Sequence, residues 1–532
     1  MSEPFNATEP TIHQIVHQFI SATDEIIAVD NFGNGNINDT FLVTARSKPL
    51  PNDELITKIY QKSQGNLDQY GNPMVIDSES KPYKFILQKI NTHVFQQPES
   101  VMANIRAVTE HIRHKLGTNY VVEQRYNTSP FTTLDSHDEE INQRTHGNFI
   151  RRDSERHSPK NADLVSVDLD LENFDPDAFN PAYFNANLAM GSNSQGLILP
   201  NSTGSGAQSQ NIQSQLPKSS LKPNTSKNAN QVNTNLTDQI SRDWVTTTII
   251  PTQNNRDLYL DQDQNHWRSL TFIDHTMVLQ TITESTQAYE VGYGVGYFHH
   301  LLVDLSLETL ADTLPDFHIT PLYLQQYQQV YAKFTKRKQR HVSSSLMSEL
   351  KFCCNFIDER IKSVTILEDA KSCGWLILRV MHGDPKINNI LLDESSQKAV
   401  SMIDLDTVKP GLVHYDIGDG LRSACNLMGE ETDRWESVIF DVDVCQTWLR
   451  GYMQWGQKLL RPREFGFIYE AIRLISLELG LRFLTDYLAG DIYFKTTYPE
   501  QNLIRALVQL RLTETIENQS RNLRQIVREF YK

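Results

Sequence analysis

Apolar residues at helical and strand spacing mark a folded segment at the start of the chain. A stripe whose members lie three and four positions apart predicts one buried face of a short helix; its members are Ile12, Ile15, Val16 and Phe19. Apolar runs at 26–29 and 41–43 then predict two β-strands. The turn between them is rich in glycine and asparagine, and glycine supplies the backbone freedom that such a turn needs.

A third strand and a long helix follow. Residues 83–90 read as a strand that ends in polar residues, and 98–116 carry apolar positions at helical spacing. Pro98 near the start and Gly117 just after the end match the usual helix boundaries. These elements predict that residues 1–125 form the first part of a small domain rich in strands.

Composition changes abruptly between residues 126 and 242. The stretch 191–227 is dominated by Ser, Asn, Gln, Gly and Pro. Such a stretch cannot bury enough apolar area to offset chain entropy, so residues 126–242 are predicted to be a disordered, low-complexity insertion. The aromatic stretch 174–184 is a candidate docking motif for a protein partner, and the alternative is that it has no function of its own.

Regular patterns resume after the insertion. Residues 245–250 and 257–260 flank a polar turn and predict a β-hairpin, so residues 243–275 complete the small domain. Residues 276–532 are mostly helical in pattern. Within them, the closely spaced Gly292, Gly294 and Gly296 resemble a dinucleotide-binding fingerprint, but their helix-like setting favours close helix packing instead.

The overall composition narrows the class of protein. The 532 residues suffice for two or three domains, and the formal net charge of −15 argues against nucleic-acid partners, whose phosphates an acidic surface repels. Five scattered cysteines predict reduced thiols. Because neither a signal peptide nor an apolar run of bilayer length is found, a cytoplasmic protein without a membrane partner is expected.

The candidate chemistry lies in the nine residues 382–390. His382, Asp384 and Asn389 follow one another in the spacing His-x-Asp-x4-Asn, and Asp404 comes after an apolar run twenty residues beyond Asp384. In kinase-like phosphotransferases, the first Asp accepts the proton of an attacking hydroxyl, while the Asn and the second Asp hold Mg²⁺ on the ATP phosphates. The alternative is an ordinary strand–turn–strand whose polar residues cap the turn. Apolar runs at 375–378 and 390–392 predict strands on either side.

Two more segments fit a nucleotide site. Backbone N–H groups of the turn containing Gly33, Asn34 and Gly35 are predicted to approach ATP phosphates. At the end of the third strand, either Gln88 or Lys89 takes the place of the lysine that kinases carry on this strand. Lys89 shares its alternation face with Phe85, and the pattern does not decide between the two.

At this point the chain resembles the aminoglycoside phosphotransferase and choline kinase-like superfamily, and within it the N-acetylhexosamine 1-kinases. The resemblance covers the chain apart from the insertion and the extreme ends. The matching segments are 33–41, 87–91, 94–95, 267–268, 315–318, 382–389, 403–411, 415–419 with 422, 480–487, 490–494 and 502–506.

The resemblance implies a fold class and a reaction. The fold is α+β and two-lobed like a protein kinase, with a small β-rich N-lobe and a large helical C-lobe. The reaction is transfer of the ATP γ-phosphoryl group to the anomeric hydroxyl of an N-acetylhexosamine or related sugar. Matching positions imply Asp384 as the base, Asn389 and Asp404 as Mg²⁺ ligands, and Arg482 as a sugar contact.

Three further acidic residues have open roles. Asp406 either assists at the metal or holds its loop. Asp416 and Asp419 are expected to brace the catalytic loop, with helix N-caps as the favoured alternative.

Two departures from the family leave the acceptor open. Relatives often carry His at Asn36 and some carry an aromatic residue at Ser423; both positions are expected to border the sugar. The alternative acceptors are an amino alcohol, a hydroxy amino acid or an aminoglycoside. A further alternative from another class is a pseudokinase scaffold whose insertion recruits a protein partner.

Overall fold

The computed structural model describes residues 9–33, 37–47, 81–117, 244–336 and 346–531. The predicted insertion at 126–242, and Asn34, Gly35 and Asn36, lie outside these described residues. The strands are β1 (Glu25–Asn31), β2 (Asp39–Arg46), β3 (Tyr83–Ile90), β4 (Ile249–Ile250), β5 (Tyr259–Leu260), β6 (His266–Thr271), β7 (Thr276–Met277), β8 (Arg379–Met381), β9 (Ile390–Asp393), β10 (Ala399–Met402) and β11 (Lys409–Gly411).

Helices make up most of the second half of the chain. They are α1 (Glu9–Val16), α2 (Pro98–Leu116), α3 (Ser285–Leu301), α4 (Thr320–Lys336), α5 (Met347–Asp358), α6 (Ile366–Ser372), α7 (Val413–Ala424), α8 (Val442–Leu459), α9 (Pro462–Phe465), α10 (Ile468–Ala489), α11 (Gln501–Asn518) and α12 (Ser520–Glu529). A sheet-rich part therefore precedes a large helical part, and the predicted α+β class is confirmed. No helix among the described residues has the length and apolar character needed to cross a membrane.

An antiparallel sheet in the order β1-β2-β3-β6-β4 forms the small lobe, and β5 also pairs with β6. The alternating residues Phe85 and Leu87 of β3 are fully buried and pack with Trp267 of β6 and with α1. The predicted hairpin over 245–260 is wrong, because β4 and β5 pair with β6 and not with each other. Local alternation identifies such short strands but does not identify their partner.

Helix α2 connects the small lobe to the helical part. It begins at Pro98 and ends before Gly117, whose φ of 64° places it in the left-handed region, as the sequence predicted. Its buried Asn104 donates hydrogen bonds to the carbonyl oxygens of Ala311 (2.8 Å) and Val408 (3.0 Å). The helix is thereby fixed next to the segment that follows Asp404.

The glycines of α3 allow two helices to approach each other closely. A Cβ added at Gly292 would lie 2.0 Å from the carbonyl oxygen of Trp448, and one at Gly296 would lie 2.5 Å from that of Tyr452. Both of these neighbours belong to α8. The predicted close packing of these glycines against another helix is confirmed.

Two small sheets carry the loops of interest. Strands β10, β9 and β7 form one sheet, and β11 pairs with β8 to form the other. The strand predicted over 390–392 is confirmed as β9. The strand predicted over 375–378 is wrong, because the strand before the catalytic loop begins at Arg379 and Leu378 is 47% exposed.

Candidate active site

The catalytic loop leaves β8 at His382 and enters β9 after one turn of 3₁₀ helix, Ile387–Asn389. Asp384 Oδ2 accepts hydrogen bonds from Lys386 Nζ (2.7 Å) and Asn389 Nδ2 (3.3 Å). Asn389 Nδ2 also donates to the carbonyl oxygen of Asp384 (2.7 Å). These contacts hold the Asp384 carboxylate through Oδ2, and no described residue donates a hydrogen bond to Oδ1.

His382 fastens this loop to the end of β10. Its Nε2 donates to the carbonyl oxygen of Ile403 (2.9 Å), which leaves Nδ1 to accept the N–H of Asp384 (3.2 Å). Accepting a hydrogen bond at Nδ1 requires a neutral imidazole, and complete burial lowers the pKa of His382. The histidine therefore sets the distance between Asp384 and the segment carrying Asp404.

Asp416, in the first turn of α7, holds the backbone of the same loop. Its carboxylate accepts the N–H of His382 (2.6 Å) and of Gly383 (2.8 Å), together with Nε2 of His299 (2.8 Å). Burial raises the pKa of a carboxyl, but these hydrogen bonds hold the pKa of Asp416 below its usual value. The predicted brace is confirmed for Asp416. The N-cap alternative is wrong, since Leu412 occupies the N-cap of α7.

Asp404 lies just after β10 with a φ of 63°. Although its side chain is exposed in the open cleft, the protein around it and the neighbouring Asp406 carboxylate raise its pKa to about 6. No described residue donates a hydrogen bond to its side chain, and the nearby charges of Lys386 and Arg268 compensate its charge only in part. The amide nitrogen of Asn389 donates to Asp384, and the amide oxygen of Asn389 remains as an acceptor. Carboxylate and amide oxygens are the ligands that Mg²⁺ takes alongside nucleotide phosphates, so this pair fits such an ion.

Asp406 is turned away from this pair and toward the small lobe. Its Oδ1 forms an ion pair with Arg268 Nη1, and its Oδ2 accepts a hydrogen bond from Asn38 Nδ2 (2.7 Å). With both oxygens bound, Asp406 holds the loop; this is the second of the two predicted alternatives.

Lys386 is a site residue that the sequence reasoning missed. Burial would lower its pKa, but the carboxylates of Asp384 and Asp404 raise the pKa of Lys386 above its usual value. It therefore stays cationic between the two acidic residues. Its signal was present, since it lies two positions after Asp384 within the nine-residue motif.

A smaller cavity of about 190 Å³ lies beside Asp384. Arg482 of α10 lines it, with its guanidinium carbon 4.9–5.9 Å from the ring centres of four aromatic residues. These residues are Phe317, Tyr323, Tyr493 and Phe494. Within the described part of the chain no carboxylate forms an ion pair with Arg482, so a cationic group is presented to the cavity.

Two carboxylates on the other side of this cavity share a single cation. Arg422 pairs with Asp419 (2.7 Å) and with Glu430. Asp419 thus lines the cavity and does not brace the loop as Asp416 does. Ser423, predicted to touch substrate, accepts the N–H of Ile387 (3.2 Å) and does not line the cavity.

A larger cavity of about 430 Å³ lies between the small lobe and the catalytic loop. Gly33 and Gln88 line its sheet side, and Asn389 and Asp404 line the opposite side. Lys386 and Asp404 border both cavities.

Of the two β3 candidates, Gln88 reaches the larger cavity. Lys89 lines neither cavity, in agreement with its alternation face. The structure therefore brings together Asp384, Asn389, Asp404, Arg482, Gly33 and Gln88. Lys89 and Ser423 line neither cavity, and Ser423 instead contacts the backbone of the catalytic loop.

A family comparison matches this part of the chain. Residues 265–453 match the model of APH, the phosphotransferase enzyme family. The match runs from β6 into α8 and includes both the catalytic loop and Asp404. The segment that carries the catalytic loop and Asp404 is therefore similar to the phosphotransferase enzyme family, as its motifs predicted.

Several solved structures with partial similarity to this chain are named as phosphotransferases or small-molecule kinases. An aminoglycoside phosphotransferase from Alicyclobacillus acidocaldarius is 15% identical over 53% of this chain and 78% of its own, with a TM-score of 0.36. A Plasmodium vivax ethanolamine kinase is 14% identical over 48% and 67%, with a TM-score of 0.34. A Cryptosporidium parvum choline kinase is 13% identical over 52% and 75%, also with a TM-score of 0.34. At such scores the similarity carries no inference about substrate.

Proposed function

We propose that this protein is an ATP- and Mg²⁺-dependent kinase of a small hydroxyl compound, with Asp384 as the base. The observation that carries the proposal is the position of the Asp384–Lys386–Asn389–Asp404 set at the junction of two cavities. The larger cavity is the nucleotide site, with Gly33 and Gln88 on its sheet side. The smaller cavity receives the acceptor.

The position of each side chain suggests its role in phosphoryl transfer. Asp384 Oδ1 accepts the proton of the acceptor hydroxyl as the phosphoryl group is transferred. Lys386 neutralises charge next to that oxygen, and its hydrogen bond fixes the carboxylate. Asn389 and Asp404 would hold Mg²⁺, which supplies charge neutralisation on the phosphates when it is bound. Since phosphoryl transfer depends mainly on positioning, the tethers from His382 and Asp416 support the same role.

For the acceptor, we propose an N-acetylhexosamine or a related neutral sugar, phosphorylated at its anomeric hydroxyl. The resemblance of the 480–487 segment favours this class, and Arg482 supports it. An unpaired guanidinium donates hydrogen bonds to hydroxyl and acetamido oxygens but repels an ammonium group. Amino alcohols and aminoglycosides, the alternative acceptors, are cationic; Arg482 disfavours them, whereas Asp384, Asp419 and Glu430 at the same cavity would attract them, so the substrate panel decides between the classes.

The decisive experiment is Mg·ATP turnover against N-acetylglucosamine, N-acetylgalactosamine, glucose, galactose, ethanolamine and homoserine, with ³¹P NMR of the product. A sugar 1-phosphate is the expected result. Turnover of ethanolamine or homoserine but of none of the sugars would favour the alternative acceptors. Absence of ATP binding at millimolar concentration would favour the pseudokinase scaffold.

The role of Asp384 has its own test. Asp384→Asn removes the acceptor of the proton but keeps the side-chain shape, so kcat should fall by about 100-fold or more while ATP affinity is preserved. Asp443→Asn, an exposed change of the same charge on α8, serves as the control. Near-normal turnover of the Asp384 variant would show that another group takes the proton.

A further inference from the structure

Cationic side chains that reach the larger cavity would stabilise a triphosphate bound there. Among the described residues that line this cavity, Arg268 and Lys386 are the cationic ones. Lys386 lies in the catalytic loop and is bound to Asp384. Arg268 lies on β6, in the sheet that covers the cavity. The sequence reasoning assigned no role to Arg268.

The strand register explains why an arginine is found here. Gln88 and Arg268 are directly opposite each other in the antiparallel pair β3–β6, so their side chains project from the same face of the sheet. The position on β3 that faces the cavity is thus a neutral amide. Positive charge on this side of the cavity comes instead from the neighbouring strand.

Gln88 and Asp406 orient the guanidinium from two sides. Arg268 Nε donates to Gln88 Oε1 (2.9 Å), while Gln88 Nε2 donates to Thr40 Oγ1 (3.0 Å). Arg268 Nη1 pairs with Asp406, and both of these side chains are almost completely buried. These contacts use Nε and Nη1, and Nη2 forms no hydrogen bond to any described residue.

The Arg268–Asp406 pair also connects the proposed nucleotide site to the candidate metal ligand Asp404. Asp406 is two residues after Asp404, and its other oxygen binds Asn38 at the end of the Gly-rich turn. A phosphate that contacts Arg268 would therefore lie next to the Arg268–Asp406 pair, and Asp406 holds the segment that carries Asp404. An arginine can present two donors to phosphate oxygens, and a charged hydrogen bond of this kind is stronger than a neutral one.

We propose that Arg268 is the ligand on the sheet side for the nucleotide phosphates and replaces a lysine on β3. Gln88 and Asp406 are positioning residues that fix its guanidinium. This inference rests on the proposed kinase function and adds to it a phosphate contact from β6.

The test is calorimetric titration of wild type, Arg268→Met and Arg268→Lys with Mg·ATP, Mg·ADP and adenosine. For Arg268→Met, affinity for both nucleotides should fall by about 10- to 100-fold, while adenosine binding should stay within about twofold. Arg268→Lys keeps the charge but loses the contact to Gln88, so it should lie between wild type and Arg268→Met. Arg473→Met is the matched control, since it also breaks a buried ion pair, with Glu470 (3.1 Å), on α10.

The outcomes separate the two proposals. A wild type that binds no ATP would overturn the kinase function itself. If wild type binds ATP and Arg268→Met binds it equally well, or if adenosine and ATP lose affinity together, the phosphate contact is overturned. Should Arg268→Met fail to fold, Arg268→Lys decides by the same comparison of ATP with adenosine.

Discussion

Replacing Asp416 by asparagine is expected to weaken both the fold and the turnover. The carboxylate is fully buried and accepts three hydrogen bonds of 2.6–2.8 Å, from His299 and from the backbone of His382 and Gly383. An asparagine keeps the shape but replaces one oxygen by an NH₂ group, which would meet an N–H donor. With the NH₂ group in place of Oδ1, which bonds only the Gly383 N–H, one bond is lost and the other two lose their charged acceptor.

The magnitude follows from these three bonds. A hydrogen bond to a charged group contributes about 1.5–3 kcal/mol and a neutral one about 1 kcal/mol. Losing one and weakening two should lower the free energy of unfolding by about 2.5–7 kcal/mol. Because the loop carrying Asp384 loses its backbone anchors, kcat should fall by roughly 10- to 100-fold. KM for ATP should change little, since Asp416 does not line the larger cavity.

Urea unfolding followed by tryptophan fluorescence, together with steady-state kinetics, measures both effects. Asp443→Asn removes an exposed carboxylate on α8 and should leave both quantities near wild type. A loss of unfolding free energy below about 1 kcal/mol would refute the reasoning, because three buried charged hydrogen bonds cannot be changed at so small a cost. A large loss of stability with unchanged kcat would refute only the link to the catalytic loop.

Two further predictions concern the helical part. Gly292→Ala would place a Cβ 2.0 Å from the Trp448 carbonyl oxygen, so α3 and α8 must separate; the free energy of unfolding should fall by about 1–3 kcal/mol or more in urea titrations. His414 is fully buried, and burial lowers its pKa to about 4. The unfolded chain therefore takes up this proton near pH 6.5 while the folded chain does not, so His414 should reduce stability by about 2 kcal/mol between pH 7 and pH 5. His414→Gln should remove this contribution from the pH dependence, and an unchanged slope would contradict it.

The motifs that could be read from the sequence are the ones built from neighbouring residues. Asp384 and Asn389 lie in one loop, and their spacing alone brings the amide of Asn389 to the backbone of Asp384. Helix α2 was equally local, since its apolar stripe and its flanking Pro98 and Gly117 fix both ends. Lys386 was equally accessible, and its role follows once Asp384 is taken as the base.

Contacts between distant segments could not be read in this way. Arg268 meets Gln88 only through the register of β3 and β6, which lie on either side of residues 126–242. Ser423 was predicted to border the sugar, but its hydroxyl accepts the N–H of Ile387. The sequence does not reveal this contact. The short strands β4 and β5 were predicted but paired wrongly, since alternation does not specify a partner strand.

The described segments that end at Gly117 and resume at Trp244 both approach the same part of α3. Lys115, near the end of α2, donates to the carbonyl oxygen of His300 (3.3 Å), and the Trp244 ring lies 5.1 Å from the ring of Tyr297. Tyr297 and His300 are one helical turn apart, so the ends are close enough for a short connection. Deleting 126–242 leaves nine residues between Gly117 and Trp244, which reach about 30 Å when extended.

This deletion variant should fold with a melting temperature near that of the full chain and keep kcat within about threefold, because β3 and β6 can still pair. Differential scanning calorimetry and the ATP turnover assay test the two parts separately. Loss of the folding transition would show that the deleted residues complete the small lobe. An intact transition with lost turnover would show instead that they contribute to the site, and either result would contradict the view of 126–242 as a dispensable insertion.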